Sequence, residues 1–209
     1  MRISPFVHHI VILGPKHSGK TSAGRELAKL LGGAFTDLDE LIKAQTGKSS
    51  RALFKESPEA FRAAELRALE SLFPVQPSRG VAECGGIVRQ DRNAPGVIAA
   101  GGGIIDNPKA RQLLCEGNGF SLVNLEASAE TAWERISQAS AQGGEMPPFL
   151  DTASPRETHW ILHVRRAAAY REIAHLTVSG EGKTPEETGQ ELFKLLELLS
   201  DETVPKPAP

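Results

Sequence analysis

The sequence predicts an α/β protein, a parallel sheet covered by helices on both faces. Three observations carry this. Short apolar runs rich in β-branched residues alternate with longer stretches of helical periodicity along the whole chain. The glycine-rich segment 14–22, "GPKHSGKTS", joins the first apolar run to the first helical stretch. Candidate polar residues fall after the apolar runs, at the carboxyl ends of strands, where ligands gather in open parallel sheets.

The elements follow in order. "HIVIL" is a β-branched run ending at a glycine and reads as a strand buried on both faces. Ala23, Leu27, Leu30 and Leu31 recur at helical spacing, and Gly32 with Gly33 stops that helix. "AF" is a brief strand, and "TDLDELIKAQTG" is a helix closed by Gly47. "SPEAFRAAELRALESLF" opens with Ser57 as N-cap and Pro58 in the first turn. "VIAAGGG" is a central strand, followed by "DNPKARQLLCEG", a capped helix starting near Asp106. "FSLVNL" is a third clear strand, with a helix from about Ser128. "SPRETHWILHVRRAAAYREIA" carries the capping-box pattern, Ser154 to Glu157 around Pro155. "LTVS" is the last strand, and "TPEETGQELFKLLELL" repeats the capping logic with Thr184 and Glu187. "VPKPAP" reads as a frayed tail.

Composition bounds the function. A chain of 209 residues suits one globular domain with some elaboration. Its 24 Lys and Arg against 26 Asp and Glu exclude a nucleic-acid binder that works by bulk charge. Cys84 and Cys115 match no metal spacing and read as buried thiols. No apolar run approaches the ~20 residues of a membrane span, and "MRISPFVHH" lacks a signal peptide's apolar core. The expectation is a cytoplasmic protein that engages neither membrane nor nucleic acid.

Segment 14–22 fits G-x-x-x-x-G-K-[ST], with Gly14, Gly19, Lys20 and Thr21 at the four fixed positions. Glycines let backbone N–H groups turn inward around phosphate oxygens, and the helix that follows adds its positive N-terminal end. The expected nucleotide contacts are Gly14, Pro15, Lys16, His17, Ser18, Gly19, Lys20, Thr21 and Ser22. Lys20 would neutralise charge on the β- and γ-phosphates, and the Thr21 hydroxyl would ligate Mg²⁺. In "FTDLDELI", Asp37 and Asp39 stand two residues apart at a strand end. Beside a nucleotide, one carboxylate can hold Mg²⁺ while the other accepts a hydroxyl proton. An aspartate at such a place is also a common helix N-cap.

With these motifs in hand, the chain resembles the shikimate kinases from about Ile10 to about Leu196. The resemblance rests on an ordered set: the phosphate loop continuing as "GRELAKLLG"; "FTDLDELIKAQTGKSSRALFKESPEAFRAAE"; "VIAAGGGI"; and Arg166 four residues before Tyr170 in "RRAAAYREIA". It implies a three-layer P-loop kinase fold of the nucleoside-monophosphate-kinase type, with a five-stranded parallel sheet. Within a single domain over 1–200 it implies a helical substrate-binding subdomain at about 37–79 and a mobile lid at about 138–157. Residues 201–209 would form a disordered tail. The implied activity is phosphorylation of the 3-hydroxyl of shikimate by ATP with Mg²⁺, in aromatic amino-acid biosynthesis, by a monomer.

The carry-over assigns Asp39 to the acceptor hydroxyl as base and Asp37, with Thr21, to Mg²⁺. Arg62 and Arg166 match the arginines that grip the substrate carboxylate, a task suited to the planar guanidinium. Glu65, three residues after Arg62, shares its helix face and can orient it. Gly102 and Gly103 match glycines whose backbone approaches the substrate ring, and Arg135 matches an arginine near the adenine. Each has a plainer reading: surface ion pairs or a solvated basic face for Arg62 and Arg166, a tight turn for the glycines, a helix-surface charge for Arg135.

The chain departs from the family pattern in three places, one of them Ala167 to Ala169 where a proline is usual, with His175 where an acidic residue is common. The family's lid carries an arginine before a proline, where this chain has "GGEMPPFLD" and Pro147. Lys16 and Arg156 are the candidates to replace its charge. The connection "PVQPSRGVAECGGIVRQDRNAP" is longer than the family's and contains an echo of the glycine triplet; the later triplet is the better strand end. His159 and His163, four apart, lack the carboxylate motif of a metal pair and read as structural. Two competing functions stay open: a kinase for another small hydroxy acid, and a ligand-sensing domain on a kinase fold.

Overall fold

A computed structural model of the chain describes residues 9–72, 95–116 and 120–202. The elements run β1 (His9–Leu13), α1 (Lys20–Leu31), β2 (Phe35–Asp37), α2 (Leu38–Thr46), α3 (Ser50–Glu56) and α4 (Pro58–Glu70). They continue with β3 (Gly96–Ala99), α5 (Pro108–Glu116), β4 (Phe120–Glu126), α6 (Ala129–Ala141), α7 (Pro155–Ile173), β5 (Leu176–Ser179) and α8 (Pro185–Glu202). Short 3-10 turns lie at Ile104–Asp106 and Pro148–Leu150.

Five strands form one sheet in the order β2-β3-β1-β4-β5, and every pairing is parallel. Because β1 sits centrally, both its faces must be apolar, which explains the unbroken "HIVIL". Ile10 and Ile12 pack with Leu27 of α1 and with Leu192 and Leu196 of α8. Val11 and Leu13, pointing the other way, pack with Leu38 and Ile42 of α2, Leu69 of α4 and Tyr170 of α7. The chain leaves β1 toward β2 and β3 on one side and returns to β4 and β5 on the other. The loop after β1 therefore sits where the strand order reverses, the usual place for a ligand.

Most predicted boundaries reappear. Gly32 and Gly47 close α1 and α2 with φ of 65° and 72°. Ser57 Oγ accepts from the Ala60 N–H at 3.2 Å. Thr184 and Glu187 exchange both bonds of a capping box, at 2.8 and 3.2 Å. Ser154 does not: its ψ of 73° lies far from the 122–161° of the capping serines Ser49, Ser57 and Ser128, so its hydroxyl misses the first turn. Helix α3 was not foreseen; Ser49 caps it, accepting from the Ala52 N–H at 3.2 Å. Helix α5 is capped by Asn107, whose Oδ1 accepts from the Ala110 N–H at 3.4 Å, rather than by Asp106.

Cys115 corrects the buried-thiol expectation. It is exposed, because α5 turns Ala110 and Leu114 inward and the next position outward. Cys84 and the glycine echo lie outside the described residues, as do residues 203–209 of the expected tail, whose first two residues instead end α8. His159 and His163, both on α7, have tilted rings 5.6 Å apart, and His159 also lies 5.6 Å from Trp133 of α6. Among the described residues, no helix is long and apolar enough to cross a membrane.

Candidate active site

A cavity of about 590 Å³ opens at the carboxyl end of the sheet, between the loop after β1, the helices α2 to α4, and the segment 142–154 joining α6 to α7. It is lined by Lys16, His17, Lys20, Thr21, Asp37, Asp39, the triplet Gly101, Gly102 and Gly103, Arg135 and Arg166. Residues separated by up to 150 positions in sequence thus share one space.

The loop is shaped by backbone conformations that few residues adopt. Gly14 and Gly19 have φ of 139° and 96°, and even His17 stands at 61°. A Cβ on Gly14 would collide with the carbonyl oxygen of Leu125, so the loop can sit this close to β4 only with glycine there. Lys20 is buried and its Nζ donates to the Pro15 carbonyl at 2.7 Å, curling the side chain back over the loop. Burial lowers its pKa to about 8, with Asp39 pulling the other way. Ser18 Oγ is buried with no partner among the described residues. Arg135 donates to the His17 carbonyl at 2.8 Å, so this predicted nucleotide contact also braces the loop. Pro15 lies against a neighbouring cavity near α7.

Asp37 divides its two oxygens between the cap of α2 and a contact to Thr21. Its Oδ1 caps α2, accepting from the Asp39 and Glu40 N–H groups at 3.0 and 3.4 Å. Its Oδ2 accepts from the Thr21 hydroxyl at 2.8 Å. Strand β2 thereby brings a carboxylate against the first residues of α1. Asp39, two residues further, faces the cavity with Oδ1 held by the Ser50 hydroxyl at 2.7 Å. Ser50 is the first residue of α3, a partner with no local signal in the sequence.

Behind the glycine triplet lies Glu65, 1% exposed. A Cβ built on Gly101 would stand 3.4 Å from its Oε1 and 3.6 Å from Asp39 Oδ1, so both carboxyl groups lie against the side of Gly101 that carries no side chain. Burial pushes the Glu65 carboxyl up to about 7, against the Asn107 amide that donates to Oε2 at 2.9 Å. Gly102 passes the phosphate loop closely, since a Cβ there would be 2.9 Å from the Lys16 nitrogen. Its carbonyl accepts from the Tyr170 hydroxyl at 2.6 Å.

The predicted arginines differ in placement. Arg166 lines the cavity, ion-paired with Asp106 at 2.6 Å and lying 5.2 Å from the centre of the Phe149 ring. Arg62 is exposed beside Glu65; its carbonyl accepts from Asn107 Nδ2 at 2.9 Å, and its side chain does not line the cavity. Of the two stand-ins for a lid arginine, Lys16 lines the cavity, whereas Arg156 lies on the outer side with Trp160. Pro147, Pro148 and Phe149 form the apolar wall. That wall is tied to α3 by Arg51, which donates to the Glu145 carboxylate at 2.6 Å and to the Glu145 carbonyl at 2.7 Å. Ser50, Arg51, Asp106, Asn107 and Glu145 were missed as site residues, because their partners lie 11 to 94 positions away.

Comparison with known proteins agrees with this fold. A sequence model of the family described as "Shikimate kinase" matches residues 16–95 and 89–197. The shikimate kinase of Salinispora arenicola is 32% identical over 187 residues, 89% of this chain and 96% of that protein. That of Streptococcus gordonii is 34% identical over 181 residues, 86% of this chain and 95% of that protein. Among solved structures, shikimate kinase from Acinetobacter baumannii in complex with shikimate superposes with a TM-score of 0.73 at 27% identity, covering 96% of this chain and 97% of the other. The enzyme from Aquifex aeolicus gives 0.65 at 25% identity, covering 93% and 98%.

Proposed function

Because the chain belongs to the shikimate kinase family, whose model spans most of it, we propose that it transfers the γ-phosphoryl group of ATP to the 3-hydroxyl of shikimate. The observation that carries the proposal is the convergence of a phosphate loop, the Asp39 carboxylate and the Arg166 guanidinium on one cavity.

The loop backbone and Lys20 bind the phosphates, and Lys20 stabilises the charge that shifts during transfer. Asp39 orients the acceptor hydroxyl and takes its proton, its other oxygen being fixed by Ser50. Thr21 Oγ1 and Asp37 Oδ2, 2.8 Å apart, are hard oxygen donors of the type Mg²⁺ takes, and they would hold that ion. When bound, Mg²⁺ neutralises charge on phosphate oxygens. Arg166 takes the acceptor's carboxylate from the cavity wall, joined by Arg62 when its exposed side chain swings inward. Gly102 and Gly103 let the acceptor ring approach the backbone. Residues 37–79 serve as the acceptor subdomain and 138–157 as the lid, within a single domain of a monomeric cytoplasmic enzyme. Lid closure excludes water, so that the acceptor hydroxyl attacks rather than solvent. With Pro147 in the lid, positive charge near the transferred group comes from Lys16 and Lys20 on the loop.

A second reading, another small hydroxy acid as acceptor, draws on the apolar wall formed by Pro147, Pro148 and Phe149. One assay separates them: ADP release with Mg²⁺-ATP, with and without shikimate, followed by mass detection of the product. Shikimate-dependent ADP and shikimate 3-phosphate are expected. Asp39→Asn should lose about 10²–10⁴-fold in kcat while retaining ATP binding. Near-normal turnover in that variant removes Asp39 as base, and wild-type turnover that ignores shikimate removes shikimate as acceptor.

A further inference from the structure

We infer that Asp106 is the positioning residue that presents Arg166 to the acceptor's carboxylate and matches this end of the cavity to a singly charged acid. The inference rests on the reading that Arg166 takes that carboxylate.

Arg166 Nε and Nη2 both donate to Asp106 Oδ2, at 2.9 and 2.6 Å. A guanidinium carries its five N–H bonds in one rigid plane. Two donors converging on one oxygen therefore fix the orientation of that plane and consume one edge of it. The Phe149 ring, 5.2 Å from Cζ, covers a face. What remains for a ligand is the outer edge, with both Nη1 hydrogens and the second Nη2 hydrogen, in a side chain only 14% exposed. Gly103 supplies no side chain to block it: even an added Cβ would stand 3.7 Å from Nη2.

Asp106 is available for this task because Asn107 caps α5 in its place. It ends the 3-10 turn that follows the glycine triplet, so it moves with the wall that the acceptor ring approaches. Tyr170, one turn along α7 from Arg166, bonds the Gly102 carbonyl and locks the same turn to the same helix. Charge completes the picture. Arg165 also pairs with Asp106, at 2.8 Å, so two cations share one anion. The cluster carries one net positive charge, enough for one carboxylate and unfavourable to a second.

The test compares wild type, Asp106→Ala and Asp106→Asn by steady-state kinetics and by the ¹⁵N signal of the Arg166 Nε–H, assigned through its loss in Arg166→Lys. Wild type should show a slowly exchanging Nε–H that Asp106→Ala averages away. Asp106→Ala should raise the shikimate KM by about 3- to 10-fold, the order expected when one ordered side chain is released. Its kcat, ATP KM and melting temperature should stay near wild type. Asp106→Asn keeps an acceptor oxygen, so it should restore the Nε–H signal and most of the KM, and it should accept a dicarboxylate analogue better. An unprotected Nε–H in wild type overturns the inference. So does a shikimate KM that is unchanged or lower in Asp106→Ala, or one that shifts together with the ATP KM and melting temperature. Failure of the wild type to use shikimate defeats the acceptor assignment instead. The Nε–H comparison needs no acceptor and still decides whether Asp106 fixes Arg166.

Discussion

Glu65 sits beneath the glycine triplet with 1% of its surface exposed, and its carboxyl is pushed up to about 7 from an ordinary 4.5. Burial is the main cause, and Asp39 adds to it, against the opposing Asn107 bond and the Arg62 and Arg166 charges. This makes stability depend on pH with a definite sign. Below pH 4.5 the carboxyl is neutral in both folded and unfolded chains and has no effect. Between 4.5 and about 7 the unfolded chain releases its proton while the folded one keeps it, so stability falls as pH rises. Above that window the cost is constant, at roughly 3 kcal/mol for a shift of this size. Glu65→Gln removes the ionisation and keeps a carbonyl oxygen for the Asn107 amide. The melting temperature of Glu65→Gln minus that of wild type should therefore climb between pH 5 and pH 8, by about 6–12 °C at 2–4 °C per kcal/mol. Circular dichroism melts at four pH values without nucleotide provide the measurement. Titrating groups remote from Glu65 are common to both proteins and cancel in the difference. Melting curves that shift in parallel at all four pH values would refute the argument, because Glu65 would then ionise without cost.

Two more predictions concern the loop and the lid. Lys20, held near pKa 8 by burial, is partly neutral at that pH, and phosphate anions should restore its charge. ATP binding should then take up about half a proton at pH 8 and weaken as pH rises past it; calorimetry in buffers of different ionisation enthalpy reads the uptake, and none would contradict the assignment. Arg51→Ala cuts the tie between α3 and Glu145 and should raise ADP release without acceptor, relative to coupled turnover, by up to about fivefold. Glu145→Ala should add little on top, and fully additive effects would show that the two do not act as one tie.

How legible the site was depended on the kind of force involved. The phosphate loop could be read directly because its demands are local: glycine where φ is 139° and 96°, a lysine and a threonine at the helix start. Strand β1 could be read because burial on both faces requires an unbroken apolar run. The capping-box pattern reads alike at Thr184 and Ser154, yet only Thr184 forms the box. The difference is a backbone angle set by the segment 142–154 before it, which the four-residue pattern does not contain.

Asp37 and Asp39 were visible as a pair, but the alternatives of cap and metal ligand could not be separated, since Asp37 uses one oxygen for α2 and turns the other to Thr21. Asp106 was taken for the start of a helix, and its role became visible only when α7 arrived beside it, 60 positions later. Arg51 and Glu145 have no relation in sequence at all, being 94 residues apart. The sequence by itself determined what local geometry and periodicity control: the succession of strands and of every helix but α3, the phosphate cradle and the carboxylates at the end of β2. Only the tertiary structure decided which charges meet, which carboxyl is buried and which arginine faces the cavity. Those outcomes depend on distances between elements, and neither residue spacing nor backbone preference encodes them.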